Sequence, residues 1–166
     1  MLFKVGDTAS AALQKMAEGG AIDDLSSQVT TAGGVVVENP AQGMLGAGAM
    51  TMAMLDTQDN MYLSLTAMLL PTNDGFVGLD SWKIPSEAGT YTIWLNAYDS
   101  GTEANDEINL PGPTAGGEGY NNARNDVDRV HIHPGVLSNA ELTGSMLSPE
   151  HKFDNPVTKI TITRMQ

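Results

Sequence analysis

Residues 8–17, TASAALQKMA, bring Ala12, Leu13, Met16 and Ala17 onto one helical face, with Asp7, Thr8 or Ser10 as N-cap and Gly19–Gly20 as stop. The pattern predicts a short amphipathic helix, and a second helical turn over 22–28 places Asp23 and Asp24 in its favourable first turn. Beyond this point, turn residues recur every eight to fifteen positions and the segments between them are β-branched or alternating. Strands are expected at Gly34 to Glu38, Ala47 to Leu55, Met61 to Leu70, Gly75 to Leu79, Thr90 to Tyr98, Val127 to His133 and Pro156 to Met165. Met50, Met52 and Met54 alternate with Thr51 and Ala53, and the DTQDN turn at 56–60 makes 47–70 read as a β-hairpin. About seven antiparallel strands with Gly- and Pro-rich turns make the chain mainly β, an antiparallel sandwich or barrel with a short N-terminal helix. The expected organisation is a helical segment over 1–30 packed on a β-domain over 31–166, with long loops at 99–126 and 134–155.

Composition narrows the chemistry. The chain has 166 residues, room for one ordinary core, and no cysteine, which excludes disulfides, thiolate metal sites and a cysteine nucleophile. Its 20 acidic and 8 basic residues leave a net charge of -12, and the basic residues stand singly, so nucleic acid is excluded as a partner. No stretch approaches a membrane span, and MLFKVGDTAS lacks the basic flank and apolar run of a secretory signal. The chain is therefore expected to be cytosolic or to have lost its signal. Gly-x-Ser-x-Gly, His-Glu-x-x-His and Gly-x-x-x-x-Gly-Lys patterns are all absent, and no enzymatic activity is expected.

The densest polar run is YDSGTEANDE, residues 98–107. Asp99, Glu103, Asn105, Asp106 and Glu107 crowd oxygen donors together with no basic neighbour, which fits either a calcium loop or a solvated acidic turn. An EF-hand is excluded, because the positions that need glycine and glutamate hold Ala104 and Leu110. A calcium site here needs a second loop, and an up, down, up strand order puts the Asn73-Asp74 corner at the same end as Asp99. His131 and His133 form a strand-borne His-x-His pair, more consistent with ordinary packing than with a metal site. The methionines at 50, 52, 54, 61 and 68 are assigned to core filling, and Trp82 and Trp94 to packing between sheets.

PTNDGFVGLDSW at 71–82, YDSGTEANDEINLPGP at 98–113, HKFDNPVTKITITRM at 151–165 and the opening LQKMAEGGAIDDL together resemble the spondin domain in its bacterial form. The most specific part is the Asp-small-Gly-Thr-acid run from Asp99 to Glu103. The resemblance implies a C2-like eight-stranded antiparallel sandwich with a bound Ca2+ ion, as in the animal spondin domains of F-spondin and mindin. By that resemblance Asp99 is the firmest metal ligand, Glu107 and Asp74 follow, and Glu103 and Asn105 are second choices. The animal domains carry disulfide-forming cysteines that this chain lacks.

The function so implied is a secreted, cell-surface or periplasmic adhesion module whose loops engage a protein or glycan ligand, with calcium in a structural role. The alternatives are a self-assembling subunit of a surface layer, with strand exchange through the Gly-rich 41–49 stretch, and a carboxylate-dependent hydrolase. Calcium-dependent membrane docking is disfavoured by the missing basic patch.

Overall fold

A computed structural model describes residues 1–111, 119–126 and 128–165. Residues 112–118 of the expected 99–126 loop, and Val127 at the start of an expected strand, lie outside the described residues.

The two helices form where local signals place them. Helix α1 spans Ala11–Gly19; Ser10 Oγ accepts the Leu13 N–H at 3.1 Å, and Gly20, at φ 72°, ends it in the left-handed region. Helix α2, Asp23–Thr31, follows with Asp23 and Asp24 in its first turn. Ala12, Leu13, Met16 and Ala17 of α1 are buried, as their spacing requires. The flank of α1 is buried as well, but with polar groups that find partners. Gln14 accepts from Arg124 Nε at 2.9 Å and donates to Asn121 O at 2.9 Å, and Glu18 accepts the Asn121 N–H at 3.0 Å. These bonds dock the segment after residue 119 onto the helix.

Six strands are present among the described residues: β1 Tyr62–Met68, β2 Gly75–Lys83, β3 Gly89–Leu95, β4 Ala97–Asp99, β5 His131–Ile132 and β6 Thr158–Arg164. They form an antiparallel four-stranded sheet ordered β1-β2-β4-β5 and an antiparallel two-stranded ribbon of β3 and β6. Strand β2 divides its side chains by the two-residue period. Phe76 packs with α1, Phe3 and Tyr98 on one face, and Val77 and Leu79 meet Leu95, Ile93 and Ile160 of the ribbon on the other. The result is a mainly β protein in which helix, sheet and ribbon are layered. Gly78 leaves room for Phe3 against the sheet, since a Cβ there would stand 2.6 Å from the Phe3 ring.

Several sequence expectations are corrected. Gly34 to Glu38 is not a strand, and 47–70 is not a hairpin, because only its second limb pairs, and with β2. A β-rich segment becomes a strand only where a neighbour receives its hydrogen bonds, and 34–55 meets none. Met50, Met52 and Met54 are consequently 90%, 83% and 75% exposed rather than core-filling, and Met61 is exposed too. Trp94 lies on the outer face of the ribbon, while Trp82 does pack between the layers. The expected strand Thr90 to Tyr98 breaks at Asn96 and serves both layers. Asn155 takes over there, accepting the Ala97 N–H at 2.7 Å and donating to His133 O at 3.0 Å. Of the expected strand Val127 to His133, the described residues form only β5, and β2 runs on to Lys83.

Candidate functional site

The antiparallel pairing of β2 with β4 sets Gly75 opposite Asp99, so the corner before β2 and the loop after β4 leave from the same end of the sheet. The corner is built by Thr72, whose hydroxyl donates to Leu69 O at 2.6 Å and accepts the Gly75 N–H at 2.9 Å. This turn holds Asn73 and Asp74 inward, both buried.

Asp74 then acts as the anchor of the second loop. Its Oδ2 accepts from Ser100 Oγ and the Thr102 N–H, each at 2.8 Å, from Thr102 Oγ1 at 3.2 Å and from the Glu103 N–H at 3.1 Å. Asn73 seizes the far end of the loop, accepting the Glu107 N–H at 3.2 Å. The Asp-Ser-Gly-Thr-Glu run has a physical reading in these bonds. Asp99 Oδ1 caps its own turn by accepting the Gly101 N–H at 2.7 Å. Gly101 sits at φ 69° with the Asp128 backbone so close that a Cβ would come within 2.6 Å of it. Asp99 Oδ2 accepts from Asn105 Nδ2 at 2.6 Å, and Glu107 takes φ 56° at the loop's close.

The five residues singled out from sequence are therefore neighbours. Asp74, Asp99, Glu103 and Glu107 are all buried, and Asn105 bridges to Asp99. Asn73, Ser100, Thr102 and His133 belong to the same cluster and were not among the expected ligands. Their signal was composition within motifs already noticed, since Asn73 precedes Asp74 and Ser100 and Thr102 lie inside the Asp99 run. His133 is buried against the Gly75 backbone, and Gly135 donates its N–H to His133 Nδ1 at 3.1 Å, which makes Nε2 the protonated nitrogen. His131 Nε2 lies 3.8 Å from Asp99 Oδ2, so both histidines flank the carboxylates.

The electrostatics of this cluster are unbalanced. Burial, followed by the negative charge of Asp99, raises the pKa of Asp74 against the opposing hydrogen bonds. Burial also raises that of Glu107, with Asp106 and Asp99 adding to it. Burial lowers that of His133. Buried side-chain atoms without a hydrogen-bond partner in this part of the protein are Asp74 Oδ1, Asn105 Oδ1, Glu107 Oε2 and His133 Nε2. Three of the four are oxygens of expected ligands. Glu107 and Asn105 also line a cleft of about 390 Å³ with Val136, Leu137 and Phe153.

The donor set suits a hard cation in its chemistry: carboxylate and amide oxygens and no sulfur. Among the described residues no three His, Asp or Glu side chains are closed into a ready metal cage. Any ion here is completed by amide, backbone and water oxygens, which calcium accepts.

The family model Spondin_N matches residues 1–114, a span that contains α1, the Asp74 corner and the whole Asp99 to Glu107 loop. No curated protein matches the chain. With a match over more than half its length, this chain belongs to the Spondin_N family, the family of the spondin domain.

Proposed function

We propose that this chain is a calcium-binding recognition module of extracellular type, in which the ion fixes a loop apex that engages a protein or glycan ligand. Spondin domains are not a known enzyme family, and no helix among the described residues is long and apolar enough to cross a membrane. The observation that carries the reading is the set of partnerless buried oxygens on Asp74, Asn105 and Glu107. An unsatisfied buried acceptor costs about 1–3 kcal/mol, more when charged, and native proteins rarely tolerate three together. A divalent cation within reach of these oxygens would satisfy them and would offset the burial and like-charge repulsion that raise the Asp74 and Glu107 pKa values. Asp74, Asp99, Asn105 and Glu107 would hold it, with Glu103 beside them. Its contribution is charge neutralisation and rigidity, since an ion that binds only the native state stabilises it by linkage.

The test is a melting experiment on protein stripped by chelator, with stripping verified by elemental analysis. Millimolar calcium should raise the Tm of the wild type. Asp99→Ala should remove most of that increment, whereas His131→Ala, half-buried and outside the oxygen set, should retain it. A Tm indifferent to calcium in verified metal-free protein overturns the proposal.

A further inference from the structure

Residues 42–56 are all exposed, although they carry the apolar alternation of a strand. Met44, Leu45, Met50, Met52, Met54 and Leu55 are between 39% and 90% exposed. Their combined exposed surface is on the order of 700 Å², close to the ~800 Å² that each partner of a specific interface buries. Six large apolar side chains exposed within residues 44–55 are a concentration that marks an interaction surface when they meet on one face.

The rest of the molecule offers a matching receptor. The β3–β6 ribbon has two strands only, and neither outer edge is paired among the described residues. The ribbon is held by its packing on the sheet, and its outer edges are left free to accept a further strand. Both strands place Ile93, Leu95, Ile160 and Ile162 inward and Thr90, Thr92, Thr161 and Thr163 outward. The exposed arm repeats that code, with Met50, Met52 and Met54 on one side and Ala49, Thr51 and Ala53 on the other. Charge agrees as well. In a chain of net charge -12, residues 39–55 contain no charged side chain, and β3 and β6 contain no acidic one. A second copy can therefore approach along this route without like-charge repulsion.

We propose that residues 49–55 of one copy add as a third strand to the β3–β6 ribbon of a second copy, so that the protein self-associates by reciprocal strand exchange. The root of the arm lies at the end of the ribbon, where Thr57 to Met61 share a cleft of about 520 Å³ with Tyr91 and Arg164. Two copies related by a two-fold axis can thus exchange arms symmetrically. Main-chain bonds supply the register, and the methionines extend the apolar layer beneath the ribbon. The inference is independent of the metal proposal.

Sedimentation of the full chain from micromolar to millimolar concentration should reveal a species of twice 17.5 kDa. The triple variant Met50→Lys, Met52→Lys and Met54→Lys changes only exposed positions, so it should fold with unchanged circular dichroism and raise the dimer dissociation constant on the order of 100-fold or more. Geometry can be read separately, because the chain has no cysteine of its own. An Ala53→Cys chain mixed with a Thr161→Cys chain and a short bis-maleimide should give a cross-linked heterodimer. A monomer throughout the concentration range, a dimer insensitive to the triple variant, or a doubly substituted chain that cross-links only within itself overturns the proposal.

Discussion

Substituting Glu107 by glutamine should stabilise the metal-free protein and destabilise the calcium-loaded one relative to wild type. Glu107 is buried, its Oε1 accepts the Leu137 N–H at 3.2 Å, and its Oε2 has no partner. Glutamine has the same shape, keeps the Oε1 acceptor and removes a negative charge that burial, Asp106 and Asp99 all disfavour. A buried unsatisfied group costs ~1–3 kcal/mol; glutamine recovers the part due to charge but leaves its own amide donor to be satisfied, for a net gain of about 1 kcal/mol. In a chain of this length that is ~2–4 °C in Tm. Calcium reverses the order. At a hundred times its dissociation constant an ion adds about 2.7 kcal/mol to the wild type, and the variant, lacking a charged ligand, gains only a fraction of that. Calorimetric melts of both proteins at neutral pH, in chelator and in excess calcium, give the four values needed. The effect has a definite pH sign. The native pKa of Glu107 is raised above its ordinary 4.5, so the unfavourable charge is fully present above the native pKa and disappears as pH falls through it toward 4.5. The metal-free melting temperatures of the two proteins should converge there. A variant less stable than wild type in chelator, or one that gains as much from calcium, refutes the reasoning.

Other substitutions probe other links of the same chain. Asp74→Ala removes the acceptor of four hydrogen bonds and strands the buried Thr102 and Glu103 N–H groups, so it should cost about 2–6 kcal/mol with or without calcium. A loss confined to calcium-containing buffer would show that Asp74 serves the ion alone. Gly78→Ala drives a Cβ against the Phe3 ring and should cost ~1–3 kcal/mol, with faster proteolysis of the N-terminal segment; an unchanged Tm would place Phe3 elsewhere. His133 should remain neutral as pH falls through 6.5, because burial lowers its native pKa. The unfolded chain takes up that proton first, so this contribution to stability is complete above 6.5 and declines as pH falls toward the native pKa. Imidazole nitrogen shifts followed by NMR report it directly, and a shift change centred at or above 6.5 contradicts the buried geometry.

The features legible from sequence are those whose causes are local. Helix α1 carries its own cap in Ser10, its stop in Gly20 and its buried stripe at 12, 13, 16 and 17, all of which the chain expresses within eleven residues. The Asp99 to Glu103 run is equally self-contained, because an aspartate capping its own turn and a glycine at positive φ specify that bend whatever surrounds it. Even the meeting of Asp74 with Asp99 followed from counting strand reversals, since antiparallel neighbours must turn at shared ends.

What tertiary structure alone decided is which β-patterned segments have a partner. The alternation at 49–55 is as regular as that of β6, yet only β6 finds a neighbour, since a strand exists through bonds made by another strand. Trp94 points outward because Ile93 and Leu95, its neighbours in β3, face the sheet; the chain then switches layers at Asn96, where Asn155, 59 residues later, accepts the Ala97 N–H. The unsatisfied oxygens of Asp74, Asn105 and Glu107 arise in that way too. A sequence shows which groups can accept a bond, and only packing determines which of them the fold leaves without a donor.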